Sequence, residues 1–314
     1  MLGKKELLDT IATLKKKRNA VILAHNYQLP EVQEVADFCG DSLELSRKAK
    51  DIPADVIVFC GVHFMAETAA LLSPKKTVLL PELAAGCPMS DMADAESVLK
   101  MRREHPEALV VCYVNSAADV KAISDVCCTS ANAVEIVSRI PKDKEIIFVP
   151  DRYLCNHAER MTGRTMLPWP GYCPTHARFK PKHIEQARAM HPDAPVIIHP
   201  ESRPEVCALA DEALSTGGMC RFARETEAET VVVGTEVGLL HRLRKENPEK
   251  TFIPLLEAAV CPNMKVTTLE SVALALEELQ HRIEVAEDIR EGARAAIERM
   301  LEDGPIVESE VCLD

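Results

Sequence analysis

A repeat with a period of 86 to 88 residues runs through this chain and limits the folds that it can adopt. Its clearest marks are three Cys-Pro pairs, which begin at Cys87, Cys173 and Cys261. Each pair comes 60 to 62 residues after a short apolar run that ends in an imidazole or phenol side chain: His25, Tyr113 and His199. Two kinds of marker with one period indicate that a structural unit occurs three times.

The three units share one order of strands and helices. A hydroxyl residue comes 17 residues after each imidazole or phenol and precedes a helical segment: Ser42, Ser130 and Thr216. A second apolar run, a helix and a third short strand then lead to the Cys-Pro turn. Buried strands that alternate with helices are typical of parallel sheets with helices on both faces. We therefore expect an α/β fold of three pseudo-threefold-related αβα domains, each with a small parallel sheet, around a central cavity.

The period also predicts where the units begin and end. The expected domains are 20–105, 106–191 and 192–280. The flanking segments 1–19 and 281–304 are rich in charged residues and alanine or leucine, as terminal helices often are. We expect these two helices to lie near the first unit and to pack beside each other.

Composition narrows the class of protein. A chain of 314 residues with 47% hydrophobic side chains can bury a large core. A net charge of −12 does not provide the basic face of a nucleic-acid-binding protein. No apolar stretch approaches the roughly 20 residues of a membrane span, and the charged start lacks a signal-peptide core. We expect a cytoplasmic globular protein that binds neither nucleic acid nor membrane.

The twelve cysteines favour metal binding over disulfides, because they are widely spaced and form no Cys-x-x-Cys pair. Three thiolates from three domains suit an iron–sulfur cluster whose fourth iron lacks a protein ligand and acts as a Lewis acid. Two alternatives are cysteines that merely fill the core, and zinc held by the three cysteines together with His176. Since His176 has no counterpart in the other units, we expect it to be a local structural residue.

The polar residues of the repeat predict one shared binding site. Open parallel sheets bind ligands beyond the carboxyl ends of their strands, and the imidazole and phenol groups follow strands in every unit. We expect the three hydroxyls to cap helices, whose N-termini favour carboxylate or phosphate groups. A small anionic ligand is therefore expected. The alternatives are a noncatalytic iron–sulfur sensor and a hydratase related to aconitase, although the latter uses a Cys-x-x-Cys pair.

Taken together, the motifs resemble quinolinate synthase, the 4Fe-4S enzyme of bacterial and archaeal NAD biosynthesis. The matching segments include His25-Asn26-Tyr27, Gly86-Cys87-Pro88, Tyr113-Val114-Asn115, Trp169-Pro170-Gly171-Tyr172-Cys173, His199-Pro200-Glu201 and Cys261-Pro262-Asn263-Met264. The resemblance implies a transferase that condenses iminosuccinate (iminoaspartate) with dihydroxyacetone phosphate to quinolinate, releasing phosphate and water. It also implies a functional link to an enzyme that produces iminosuccinate.

The resemblance assigns residues to the site as well. Cys87, Cys173 and Cys261 would hold a 4Fe-4S cluster, whose remaining iron acts as a Lewis acid. The residues expected to line the substrate site are His25, Ser42, Tyr113, Asn115, Ser130, His199, Glu201 and Thr216. Ring formation requires proton transfers, so we expect Glu201 to act as the base, with Tyr113, His199 and Tyr27 as proton relays. We expect the cysteines without a repeat counterpart, among them Cys127, Cys128 and Cys312, to be free or buried thiols.

Overall fold

Three small parallel sheets, each built from one stretch of the chain, form the framework of the protein. The computed structural model describes residues 3–306, so Cys312 lies outside the described residues. In every sheet the strand order is second, first, third, fourth along its own stretch. The predicted α/β class with three parallel sheets is confirmed.

The first unit follows helix α1 (Lys4–Arg18). Its strands are β1 (Ala20–His25), β2 (Phe38–Gly40), β3 (Val56–Cys60) and β4 (Thr77–Leu79). Its helices are α2 (Pro30–Val35), α3 (Ser42–Asp51), α4 (His63–Leu72) and α5 (Ala95–Glu104). All five residues of β3 are buried, as expected for a central parallel strand that is covered on both faces.

The second and third units repeat this plan. The second has strands β5 (Leu109–Tyr113), β6 (Val126–Cys128), β7 (Ile146–Val149) and β8 (Leu167–Pro168), and helices α6 (Ala118–Ala122), α7 (Ala133–Arg139), α8 (Arg152–Thr162) and α9 (Pro181–Met190). The third has strands β9 (Val196–Ile198), β10 (Glu212–Ala213), β11 (Thr230–Gly234) and β12 (Thr251–Pro254), and helices α10 (Pro204–Cys207), α11 (Thr216–Glu225), α12 (Leu239–Glu246) and α13 (Leu269–Glu278). Each unit thus has a fourth strand that the repeat pattern did not predict, because an edge strand of two or three residues carries no periodicity.

The edge strands are attached in the same way three times. An aspartate just before each of them accepts a hydrogen bond from a backbone N–H of the first strand: Asp37 from Ile22, Asp125 from Val110 and Asp211 from Val196, at 2.7 to 2.8 Å. The three aspartates each stand 15 residues after their donors. This shared contact supports the threefold repeat, whereas the exact domain boundaries stay a prediction.

The C-terminal helix does not lie where we expected it. Helix α14 is shorter than the predicted 281–304 and spans Glu287–Leu301, because the chain before it forms an antiparallel bridge between Arg282 and Leu79. It packs against α4, α6 and β6, whereas α1 packs against α13 and β1. The expected pairing of the two terminal helices is therefore wrong. A glycine at position 292 permits this packing, since a Cβ there would lie 2.6 Å from the Ala122 carbonyl oxygen.

The largest of the three apolar clusters in the described residues is shared by all three units, whereas the other two lie around the sheets of the first and third units. The shared cluster contains strand residues from all three sheets, such as Leu23, Val110 and Val231. The three cysteines of the Cys-Pro pairs are partly buried and pack against it. The junction of the units thus lies in the interior of the protein rather than in a surface groove. Within the described part of the chain, no helix has both the length and the apolar character that a membrane crossing requires.

Candidate active site

A single cavity at the junction of the three units is lined by all twelve residues that the sequence singled out. These are His25, Tyr27, Ser42, Cys87, Tyr113, Asn115, Ser130, Cys173, His199, Glu201, Thr216 and Cys261. The cavity has a volume of about 160 Å³. Space of this size admits a ligand as large as an aromatic ring. Whether each residue has the role expected of it stays a prediction.

Two imidazoles stand at equivalent strand ends with the same backbone contact. His25 ends β1 and accepts at Nδ1 from the backbone N–H of Tyr27, at 3.2 Å. His199 follows β9 and accepts at Nδ1 from the backbone N–H of Glu201, at 3.4 Å. Burial lowers the pKa of each imidazole to about 3, although the Glu201 carboxylate acts in the opposite direction. Both rings are therefore neutral near pH 7, and each carries its proton on Nε2, where it can donate to a ligand.

Glu201 is the charged centre of the cavity. Its Oε1 accepts from the Tyr113 hydroxyl at 2.5 Å, and its Oε2 lies 2.6 Å from Nδ1 of His176. Burial alone would raise its pKa, but His199, His176 and the hydrogen bond from Tyr113 bring the pKa of Glu201 below its ordinary value. We therefore expect Glu201 to be ionised near neutral pH.

The two tyrosines of the cavity are held as neutral phenols. Burial, followed by the charge of Glu201, raises the pKa of Tyr113 and of Tyr27 well above the ordinary value. Tyr113 donates to Glu201, while the Tyr27 hydroxyl lies 2.6 Å from the hydroxyl of Thr235. Both phenols can serve as hydrogen-bond donors or pass on a proton without becoming stable phenolates.

The structure contradicts our expectation for His176. Its ring is buried in the cavity, stacked on His199 with ring centroids 4.5 Å apart. Nδ1 faces Glu201 and also lies 3.1 Å from Sγ of Cys173, and Nε2 lies 2.9 Å from the hydroxyl of Thr235. His176 therefore joins the second unit to the third and belongs to the site. Its only sequence signal was the Cys-x-x-His spacing.

The expectation that Ser42, Ser130 and Thr216 cap helices is wrong, because none of them occupies an N-cap position. The N-caps of α3 and α11 are Asp41 and Ser215, and the next residues, Ser42 and Thr216, are the first residues of the helices. The Ser215 hydroxyl donates to Asp41 at 3.2 Å, so these two helix N-termini meet at the cavity. The hydroxyl of Thr216 accepts from Asn26 Nδ2 at 2.9 Å, which leaves its own proton for a ligand.

Ser130 lies before α7, whose N-cap position is Asn132. Its hydroxyl is 3.2 Å from Nε2 of His199, which links the second unit to the third. Asn115 Nδ2 lies 3.4 Å from Oε1 of Glu201, and its buried Oδ1 has no hydrogen-bond partner within the described chain. An unpaired buried amide oxygen that lines a cavity is a site at which a ligand can donate a hydrogen bond.

The three cysteines have matching surroundings. Backbone N–H groups two or three residues later face each sulfur: those of Met89 and Ser90 at Cys87, of His176 at Cys173, and of Asn263 and Met264 at Cys261. Burial raises the pKa of all three thiols, that of Cys87 to about 12. Amides that face sulfur stabilise thiolate ligands, and a metal removes the thiol proton despite burial. The three turns are thus suited to bind a metal centre.

A second group of possible metal ligands overlaps with the first. Ligand atoms of Cys173, His176 and Glu201 lie within 4.8 Å of one another. The cavity is also lined by residues to which the sequence reasoning gave no role: Asp41, Val62, Phe64, Met65, Met89, Thr175, Glu236, Asn263 and Met264. Glu236 could have been found, since it follows β11 as the other polar candidates follow their strands.

Comparison with known proteins identifies the family. The profile of the family described as "Quinolinate synthetase A protein" matches residues 9–302. A quinolinate synthase of Dehalococcoides mccartyi (strain CBDB1) is 57% identical over 291 residues, which cover 93% of this chain and 96% of that protein. Those of Thermodesulfovibrio yellowstonii and Thermus thermophilus are 56% and 52% identical, over 94% and 95% of this chain and 97% of each relative. The chain therefore belongs to the quinolinate synthase family.

Proposed function

We propose that this protein is a quinolinate synthase, which condenses iminosuccinate with dihydroxyacetone phosphate to quinolinate in NAD biosynthesis. The reaction releases phosphate and two waters, and its atoms balance without an external oxidant or reductant. The observation that carries the proposal is the convergence of the three Cys-Pro turns and the Glu201 network on one cavity of a family member. A cytoplasmic location and a functional link to an enzyme that produces iminosuccinate stay predictions.

We assign the cofactor to the three cysteines, Cys87, Cys173 and Cys261, as the ligands of a 4Fe-4S cluster. A single zinc ion would hold thiolates about 3.8 Å apart, given its bond length to sulfur and tetrahedral geometry. Among the described residues, these three cysteines do not form a group with sulfurs within 4.8 Å of one another. The wider spacing favours a cluster over zinc. When bound, the cluster supplies a Lewis-acid iron that has no cysteine ligand.

The chain's own residues can bind and orient anionic substrates. The neutral Nε2–H groups of His25 and His199 donate to carboxylates without adding a positive charge. The N-termini of α3 and α11, with the hydroxyls of Ser42 and Thr216, provide further donors and the positive end of the helix dipole. We assign these groups to the carboxylates and phosphate of the substrates, with Asn115 and Ser130 completing the lining.

Proton transfer is assigned to Glu201 and its partners. Because two donors keep the carboxylate ionised, Glu201 can accept a proton from a substrate carbon or nitrogen at either oxygen. Its lowered pKa means that it releases this proton readily to a neighbouring acceptor. Tyr113, His199 and Tyr27 are within the same network and are the proposed relays. General acid–base groups of this kind typically increase the reaction rate by roughly 100-fold or more.

Anaerobic purification followed by iron and sulfide analysis tests the cofactor, and an assay with both substrates tests the reaction. We expect about four irons and four sulfides per chain and the formation of quinolinate. Zinc without sulfide would contradict the cluster. Iron and sulfide without quinolinate would instead favour a sensor or a hydratase. A Glu201→Gln enzyme with an intact cluster and normal turnover would exclude Glu201 from the chemistry.

A further inference from the structure

Each unit ties its third strand to its cysteine turn through one equivalent backbone hydrogen bond. The donor is the third residue after the strand, and the acceptor is the carbonyl two residues before the cysteine. The three bonds join His63 to Ala85, Arg152 to Gly171 and Val237 to Ala259, at 2.7 to 3.0 Å. The residues just before these donors are therefore structurally equivalent: Val62, Asp151 and Glu236. Two of the three equivalent positions carry a buried carboxyl group.

Glu236 is bound to the cysteine turn of the third unit. Its Oε1 accepts from the backbone N–H of Cys261 at 3.2 Å, and its Oε2 accepts from Gly238 at 2.7 Å. Lys265, four residues after the cysteine, lies 2.9 Å from Oε1. The same ammonium group donates to the backbone carbonyl of Tyr27 in the first unit. The carboxylate thus holds the amide of a proposed cluster ligand and connects it to the neighbouring unit.

Asp151 occupies the equivalent place in the second unit. Its Oδ1 caps α8 by accepting from the backbone N–H groups of Tyr153 and Leu154, at 2.7 and 3.1 Å. The capped first turn of α8 reaches the cysteine turn through the backbone: Asp151 forms a parallel bridge with Gly171, two residues before Cys173. The second carboxyl oxygen of Asp151, Oδ2, is buried and lacks a hydrogen-bond partner within the described chain. Gly171 allows this close approach, because a Cβ at that position would clash with the carbonyl oxygen of Pro150.

The first unit differs at this position. Val62 offers no acceptor, so the turn of Cys87 has no carboxyl counterpart there. We propose that Asp151 and Glu236 are positioning residues, which orient Cys173 and Cys261 as cluster ligands through the backbone of their turns and leave Cys87 without this support. The inference rests on the proposed function, since it is the cluster that the turns hold. Groups behind the ligands orient them, and hydrogen bonds near the sulfurs tune the cluster electronically.

Variants of the full chain, purified without oxygen, test the proposal. Glu236→Val and Asp151→Val each reproduce the first unit, and Glu236→Gln keeps the shape and one acceptor. Asp125→Asn is the matched control. Asp125 is also buried and accepts from a backbone N–H, that of Val110, and it pairs with Arg102 rather than with a cysteine turn.

Three readouts separate positioning from general destabilisation: the EPR spectrum of the reduced cluster, its midpoint potential, and the rate of iron loss to a chelator. We expect Glu236→Val and Asp151→Val to change the spectrum and potential and to lose iron about tenfold faster. The potential and the iron-loss rate of Glu236→Gln should lie between those of Glu236→Val and those of the wild type. Asp125→Asn should lower the unfolding temperature with an unchanged spectrum.

Wild-type spectra, potentials and iron-loss rates in Glu236→Val and Asp151→Val would overturn the inference while leaving the proposed function intact. If either valine variant fails to fold, Glu236→Gln still decides, because wild-type values in that variant would overturn the role of Glu236. A wild-type protein that binds no iron and sulfide would overturn the proposed function itself, and the inference with it.

Discussion

The hydroxyl of Tyr113 donates a 2.5 Å hydrogen bond to Glu201, although 88 residues separate the two in the chain. Glu201 lies two residues after His199, the repeat equivalent of Tyr113, so residues at neighbouring units' strand ends meet across the central cavity. Both side chains are buried, so this hydrogen bond is shielded from bulk solvent. We therefore expect substitution of either residue to lower the activity.

Tyr113→Phe should lower kcat about 100-fold. The substitution removes one of the groups that lower the pKa of Glu201, so the acidic limb of the pH profile should move to higher pH. Anaerobic steady-state assays from pH 5 to 9 would measure both effects. Tyr153→Phe is the matched control, because Tyr153 bonds Arg152 outside the cavity lining. Equal turnover in the two variants would contradict a role for the Tyr113 hydroxyl.

Cys173→Ser should abolish the visible absorbance of the iron–sulfur cluster, since a ligand is lost. Cys155→Ser and Cys220→Ser change buried thiols on α8 and α11 that do not line the cavity, and they should retain the absorbance. Absorbance and iron content of the three proteins, purified side by side without oxygen, would decide the matter. Full iron in Cys173→Ser would exclude Cys173 as a ligand.

The stability of the metal-free chain should fall as the pH is lowered from about 6.5. His25 and His199 have their pKa lowered to about 3 by burial, so the unfolded chain binds more protons than the folded chain between these two values. Each histidine contributes a slope of up to about 1.4 kcal/mol per pH unit in this window. Urea unfolding at pH 7, 6 and 5 would measure it.

His199→Gln should make the free energy of unfolding depend less steeply on pH, because it removes one of the two buried histidines that bind a proton on unfolding. The expected result is a smaller difference in unfolding free energy between pH 7 and pH 5 than the wild type shows. If the variant and the wild type had the same pH dependence, His199 would not be the neutral buried imidazole that the structure indicates.

Gly292→Ala should destabilise the protein by about 1–3 kcal/mol, because a methyl group would press on the Ala122 carbonyl where α14 crosses α6. Alanine is the better helix former by about 1 kcal/mol, so a helix with free space would gain stability instead. Gly3→Ala is a control at a position with no atom within 4 Å of the added carbon. Thermal unfolding of both variants tests whether α14 docks here. A higher unfolding temperature for Gly292→Ala than for the wild type would contradict the contact between α14 and Ala122.

Much of the fold could be predicted because its signals are local. Apolar runs such as Val21–Ala24 mark parallel strands, and the Cys-Pro and strand-end motifs recur with one period. The expectation that the strand-end residues of the repeat would meet followed from a general rule, since ligands bind at the carboxyl ends of parallel strands. The full set of twelve residues came from the family resemblance. Short edge strands such as β2 were not predicted, because they have no hydrophobic pattern of their own. Strand β2 is held instead by pairing with β1 and by the hydrogen bond from the Ile22 N–H to Asp37.

The sequence by itself determined the α/β class, the threefold repeat and the family, because periodicity and motif spacing are properties of the chain that survive without any knowledge of packing. Only the tertiary structure decided which polar groups face one another: His176 against Glu201, Ser215 against Asp41, and Glu236 beneath Cys261. Each of these contacts crosses between segments that lie far apart in sequence or depends on the direction of a side chain. Such contacts are fixed when the three units pack together, since burial then leaves each polar group only the partners that the neighbouring unit brings to it.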